Sequence, residues 1–180
     1  MDIARLIETD PWRMEVLRTV AALGLPDWAI GAGFVRAAVW DALTQKPERT
    51  PLPDIDVIYF DPADVSRQRD ERLVSILAAT MPDIPWDLKN QARMHLRNGD
   101  APYRDTEDAL AYWLETPTCI AARLDDAARV IILAPHGVED LLALRVRPTQ
   151  AAQSKMVQYR ARRVAKNWAG LWPGLVFEDA

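Results

Sequence analysis

The sequence predicts a mixed α/β (α+β) domain in which a mixed central sheet is flanked by helices. Three observations carry this. Stretches with helical hydrophobic spacing alternate with short apolar runs along the chain. Two of those runs, 119–124 and 130–133, are joined across Asp125-Asp126 and read as a hairpin, which puts at least one antiparallel pair in the sheet. With 180 residues, of which 49% are hydrophobic and 27% charged, the chain can bury one real core, whereas two domains would each be small. A single domain over 1–180 is expected, closing in a helical, basic segment at about 151–180.

The elements follow in order. Thr9 or Asp10 caps a helix with Pro11 in its first turn and Met14, Val16, Leu17, Val20, Ala21 and Leu23 on its apolar face; Gly24 and Pro26 end it. Trp28 to Ile30 is a brief strand that runs into Gly31-Ala32-Gly33, and Phe34 to Leu43 is helical. A linker with Pro47, Pro51 and Pro53 leads to the strand Ile55–Phe60, apolar except for Asp56. Ser66 or Asp64 starts a helix carrying Leu73, Val74, Ile76 and Leu77, which stops before Met81-Pro82. A short extended piece around Ile84 to Leu88 precedes a polar stretch, and Asn98-Gly99-Asp100 turns the chain. Asp105 or Thr106 caps a helix to Leu114. After the hairpin, 137–144 and 151–168 are helical, giving the order α-β-α-β-α-β-α-β-β-α-α.

Composition excludes several function classes. A net charge of −4 and a pI near 5.2 argue against nonspecific coating of nucleic acid. Cys119 is the only cysteine and cannot form an intramolecular disulfide; with only His95 and His136 beside it, there is no zinc-type cluster, so any metal is held by oxygen. No run approaches the roughly 20 apolar residues of a membrane span, and MDIARLIETD carries acids where a secretory signal is basic and then apolar. A soluble, cytoplasmic protein is the expectation. The charge is unevenly spread: from Leu141 to Phe177 there is no Asp or Glu, while Arg145, Arg147, Lys155, Arg160, Arg162, Arg163 and Lys166 all fall there. That asymmetry suits a polyanionic ligand, and equally a solvated basic helix face.

The stretch WAIGAGFVRAAVWDALTQKPERTPLPDIDVIYFD, Trp28 to Asp61, carries the chemistry. Gly31-x-Gly33 with an acid about 20 residues on invites a dinucleotide reading. Arg36 stands where the third glycine belongs, however, and Asp54 and Asp56 open the second strand instead of closing it. No G-K-[ST] follows the glycines, so a Walker-type phosphate loop is excluded. Residues i and i+2 of a strand share a face, so Asp54 and Asp56 project side by side. Two adjacent carboxylates repel, and the usual compensation is a cation; magnesium takes oxygen ligands and leaves room for phosphate oxygens. Gly31 and Gly33, at the start of the following helix, offer backbone N–H groups to phosphate, and Arg36 in its first turn adds a charge-assisted contact. Solvated edge acids and a tight connection are the plain alternatives. Lys89, Asn90, Gln91, Arg93 and His95 contact phosphate, ribose or acceptor, or else brace neighbouring backbone.

Strand, glycine turn, helix and then Asp-x-Asp opening the next strand resembles the nucleotidyltransferase fold of DNA polymerase beta-like enzymes, including the head domains of tRNA CCA-adding enzymes. The phrases GAGFVR, VWD, DIDVIYFD, WDLKNQARMH, APHG and the closing K-x-W…WP resemble a bacterial family of small nucleotidyltransferase-like proteins over nearly the whole chain. The resemblance implies that Gly33 lines the triphosphate, that Asp54 and Asp56 bind catalytic Mg²⁺ or Mn²⁺, and that Asp87 is the third carboxylate, a metal ligand or the base for the acceptor's proton. It implies an NTP as donor and a hydroxyl acceptor on a small molecule, RNA or protein, with no membrane partner; a noncatalytic nucleotide-binding module of the same fold is the alternative. Ala32 replaces the first glycine of the family's turn and Ala37 stands where relatives carry Asp or Asn. The neck motifs that select bases in CCA-adding enzymes are not recognisable, so CCA addition is not expected. No feature specifies an oligomeric state.

Overall fold

A computed structural model describes residues 1–179. Helices α1 (Ile3–Glu8) and α2 (Pro11–Ala21) open the chain. Each is capped by an aspartate that accepts first-turn N–H groups: Asp2 from Arg5, and Asp10 from Trp12 and Arg13. Hydrophobic spacing did not mark α1, because six residues are too few to establish a period. Strand β1 (Ala29–Gly31) leads to α3 (Gly33–Leu43), then come β2 (Ile55–Tyr59), α4 (Arg67–Thr80), β3 (Trp86–Asn90), α5 (Met94–Asn98) and α6 (Thr106–Ala111). The hairpin is β4 (Ala121–Leu124) and β5 (Val130–Leu133). Short α7 (Glu139–Leu142) and β6 (Arg145–Val146) follow, then α8 (Met156–Ala165), α9 (Trp168–Leu171) and β7 (Val176–Phe177).

The five-stranded sheet has the order β3-β2-β1-β4-β5; β2 and β3 are parallel and the other pairs antiparallel. The strand expected at 84–88 lies at 86–90, so Lys89 and Asn90 belong to it. The helices expected at 137–144 and to Leu114 are shorter, and 151–168 breaks into a 3-10 turn, α8 and the start of α9. Gly99, left-handed at φ 70°, caps α5.

Strand alternation decides where the site sits. Ile55, Val57 and Tyr59 of β2 point to one face with Ile30 and Leu88, where they join α1, α2, α3 and α4 in the main core. Ile58 points to the other face, in a small cluster with Ala29, Leu110, Cys119, Ala121 and Leu133, with Trp113 against it. Asp56 shares that second face, which the small cluster covers only in part. Behind the sheet, Asp41 of α3 accepts hydrogen bonds from the Thr50 N–H (2.8 Å), the Thr50 hydroxyl (2.6 Å) and Trp172 Nε1 (2.6 Å). This buried carboxylate fixes both the linker that enters β2 and the C-terminal tail. Trp40 meets Trp168 and Trp172 edge-on, at ring centroids of 5.8 and 5.0 Å.

Candidate active site

Asp54, immediately before β2, and Asp56 within it line one cleft of about 490 Å³. Asp87 is the register partner of Asp56 on β3, so its carboxylate emerges on the same face. Burial pushes the Asp56 carboxyl up to about 6, and the neighbouring negative charges of Asp54 and Asp87 push it the same way; Lys89 and Arg36 pull against them. Lys89, two residues along β3, forms an ion pair with Asp87. As the side chains stand, no three acidic, histidine or cysteine groups among the described residues are close enough to hold a metal ion.

Between β1 and α3 the chain turns through Ala32 at φ 48°, ψ −115°, a left-handed conformation that an L side chain rarely adopts. The Ala32 N–H is spent on the Ile120 carbonyl (2.9 Å), which ties the turn to the start of β4, and its own carbonyl accepts from Arg36 N (3.0 Å). Ala32 lines the cleft. Gly31 lies within β1 and serves packing: a Cβ there would stand 2.9 Å from Trp113 Cη2. Gly33 is the first residue of α3, where a Cβ would stand 3.4 Å from Leu52. Arg36 is buried and stacked on Trp168 (4.4 Å to the ring centroid) and Trp40 (5.4 Å). Burial pulls its guanidinium down to about 10, helped by Arg162 and opposed by Glu115, Asp56 and Asp54.

The remaining polar candidates lie apart from the acids. Asn90 is the register partner of Tyr59, which places it on the opposite face from Asp56. There its side chain accepts from Asp61 N and donates to the Asp61 and Asp64 carbonyls, pinning the loop after β2. Arg93 pairs with Asp70, which also accepts from Tyr59 OH (2.7 Å), and Gln91 donates to the Lys89 carbonyl (3.2 Å). Asn90, Gln91 and Arg93 thus brace backbone and α4, and none of them lines the cleft. His95 meets Tyr103 edge-on, and His136 bonds the Ala111 carbonyl. Buried Cys119 has its thiol pushed up by burial.

The rest of the cleft lining lies outside the glycine turn and the acid triplet, and only Lys155, Arg162 and Lys166 of it were expected, as part of the basic segment suited to a polyanion. Glu115, 2% exposed, accepts from Arg162 Nε (2.9 Å) and from the Thr118 hydroxyl (3.1 Å). Tyr112, Trp113, Arg97 and Asn98 contribute, as do Lys155, Gln158, Arg162 and Lys166 of the basic segment. Lys155 is paired with Asp100 at 2.5 Å. A signal existed for this last group: positions 155, 158, 162 and 166 are three, four and four residues apart, the spacing of one helix face. Glu115 had none, since a lone acid before Thr116-Pro117 has no period to fit.

A strand, tight turn and helix followed by an Asp-x-Asp strand, set in a mixed sheet with helices packed on it, define a nucleotidyltransferase-type head domain. The sequence model described as Nucleotidyltransferase matches residues 18–177, and the chain belongs to that family. It is similar to a protein whose NMR structure reveals a CCA-adding enzyme head domain, at 34% identity and a TM-score of 0.88, covering 99% of this chain and 95% of that one. A CCA-adding enzyme in complex with CTP shares the fold at 13% identity and a TM-score of 0.63, over 99% of this chain but only 44% of the enzyme. An apo tRNA-processing enzyme does so at 18% identity and a TM-score of 0.53, over 92% of this chain and 42% of that one. No curated protein sequence matches. No helix among the described residues is long and apolar enough to cross a membrane.

Proposed function

We propose that the protein transfers a nucleotidyl group from an NTP to an acceptor hydroxyl and releases pyrophosphate. The observation that carries this reading is that Asp54 and Asp56 share one cleft with the cationic residues of the C-terminal segment. A triphosphate needs both: carboxylates to hold its metal, and cations to offset the charge that remains.

The donor set is all oxygen, and burial together with the repulsion of Asp54 and Asp87 raises Asp56, a cost that a bound cation relieves; both suit Mg²⁺ or Mn²⁺. Asp54 and Asp56 would hold the ion, with Asp87 beside them. When bound, it would supply electrostatic stabilisation of the reacting phosphate and of the departing pyrophosphate. The protein's own groups do the rest. Lys166 makes no ion pair among the described residues and faces the cleft, so it offsets phosphate charge, while Arg162 beside it is held by Glu115. Arg36, fixed between Trp40 and Trp168, adds a permanent positive charge behind the turn. The acceptor oxygen attacks the α-phosphorus, the bond from that phosphorus to the bridging oxygen breaks, and pyrophosphate leaves. Asp87, held at the sheet edge by Lys89, takes the hydroxyl proton.

A second reading, a noncatalytic nucleotide-binding module, draws on the same ion pair, because Lys89 already occupies the carboxylate that the reaction needs. One assay separates the two. Wild type and Asp56→Asn are incubated with each labelled NTP, Mg²⁺ or Mn²⁺, and acceptors that include small polyols, RNA and the protein itself. Labelled product with pyrophosphate from wild type alone supports transfer. Metal-dependent NTP binding without product supports the module, and absence of NTP binding removes both.

A further inference from the structure

A second and larger hollow, of about 660 Å³, opens at the outer edge of β3 between α4 and α5. Arg67 and Glu71 of α4, Lys89 and Arg93 on and just after β3, and Leu96 and Arg97 of α5 form most of its wall. Asp70 also lines it, but its charge is taken up by Arg93. Arg67 and Arg97 make no ion pair among the described residues, and both are exposed. Glu71 is the one acid of the wall without a cationic partner.

The placement of this hollow relative to the carboxylates decides its use. Lys89 lines it and is paired with Asp87, the carboxylate on the edge strand. Arg97 lines both the hollow and the cleft that holds Asp54 and Asp56, so the two spaces meet at that side chain. The cleft reaches inward from the acids toward β1, Glu115 and α8; the hollow reaches outward past β3. Phosphoryl displacement needs the attacking and leaving oxygens in line on opposite sides of phosphorus. A nucleotide whose pyrophosphate lies on the inner side therefore receives its nucleophile from the outer side.

Resting on the transfer reading, we infer that the hollow at the β3 edge seats the acceptor, and that the acceptor is a phosphate-bearing compound gripped by Arg67 and Arg97 while its hydroxyl reaches Asp87. Guanidinium groups free of ion pairs are the side chains that match phosphate oxygens bidentately. The phosphate has two possible sources, a phosphodiester in an oligonucleotide or a monoester on a small hydroxyl compound.

The test uses Arg67→Glu and, as a second variant, Leu96→Glu, whose side chain is 78% exposed and plays no part in folding the core. Full-length protein is titrated with a nonhydrolysable NTP analogue and Mg²⁺, and then with a fluorescent 12-nucleotide RNA or with glycerol 3-phosphate, glycerol serving as the uncharged control. Binding of either phosphate probe that both variants weaken about tenfold or more, with NTP-analogue affinity unchanged, supports the inference, and the probe that binds identifies the source. For RNA, Arg67→Glu should also lower the salt slope by about one. NTP-analogue binding with neither phosphate probe bound, or with a probe bound equally by wild type and both variants, overturns the acceptor seat and leaves the transfer reading standing. Loss of NTP-analogue binding in wild type overturns both.

Discussion

Asp56 and Asp87 are register partners on the parallel strands β2 and β3, so two carboxylates that lie far apart in sequence emerge side by side on one face of the sheet. With Asp54 adjoining, burial and repulsion keep a proton on Asp56 well above the ordinary carboxylate range. A site of this kind costs stability, and the cost depends on pH.

The folded protein holds the Asp56 proton up to about pH 6, whereas the unfolded chain releases it near 3.8. Unfolding between those values therefore releases a proton, and stability falls as pH rises through that window. Asp56→Asn should raise the melting temperature at pH 8 and leave it nearly unchanged at pH 4. Thermal denaturation of both proteins without divalent metal, at the two pH values, checks this. An equal shift at both would mean that the carboxylate is not strained.

Ala32 adopts φ 48° at the turn between β1 and α3. Replacing it with glycine removes the clash of Cβ with the backbone, at a smaller cost in unfolded-chain entropy. Ala32→Gly should stabilise the protein by about 1 kcal/mol, a rise of about 2–4 °C in Tm. Urea denaturation at fixed pH reads it directly, and a destabilised variant would refute the strain.

Gly31 leaves the space that the Trp113 ring fills, with 2.9 Å between the ring and a Cβ built there. Gly31→Ala must push the indole away from β1 and should cost about 1–3 kcal/mol. Because Trp113 lines the cleft, NTP affinity should drop in the same variant; paired denaturation and NTP-binding titrations check both. Gly31→Ala with Trp113→Leu should recover most of the lost stability, which a general backbone effect would not permit.

Glu115 is buried between Thr118 and Arg162, with the charge of Arg36 close by. Its truncation leaves Arg36 without its main counter-charge and unties α8, whose only buried residue is Tyr159. Glu115→Ala should destabilise the fold by about 2 kcal/mol, below the figure for a fully buried pair because Arg162 is partly solvated. Amide exchange across 156–165 should quicken by about tenfold or more, while exchange in β2 stays slow. Unchanged exchange in α8 would show that other contacts hold that helix.

Much of the fold could be read locally. The caps, the breaks at Gly24 and Pro26 and the period-2 pattern of β2 are all set by neighbours a few residues apart, and so is the shared face of Asp54 and Asp56. Asn90 shows the limit of that reading. It stands beside Lys89 in sequence and looks like a site residue, yet one step along a strand moves a side chain to the other face, and the strand's register was not written in its own residues.

The sequence alone determined the acid pair, the turn before α3, the family and the basic character of the C-terminal segment, because each depends on residue type and short-range spacing. Tertiary structure decided that Asp87 stands in register with Asp56, that Glu115 anchors Arg162 from 47 positions away, and that part of the basic segment lines the same cleft as the acids. Those relationships arise from strand pairing and helix docking between distant segments. Their energies depend on burial and on charges brought together only when the chain closes, and no local period encodes them.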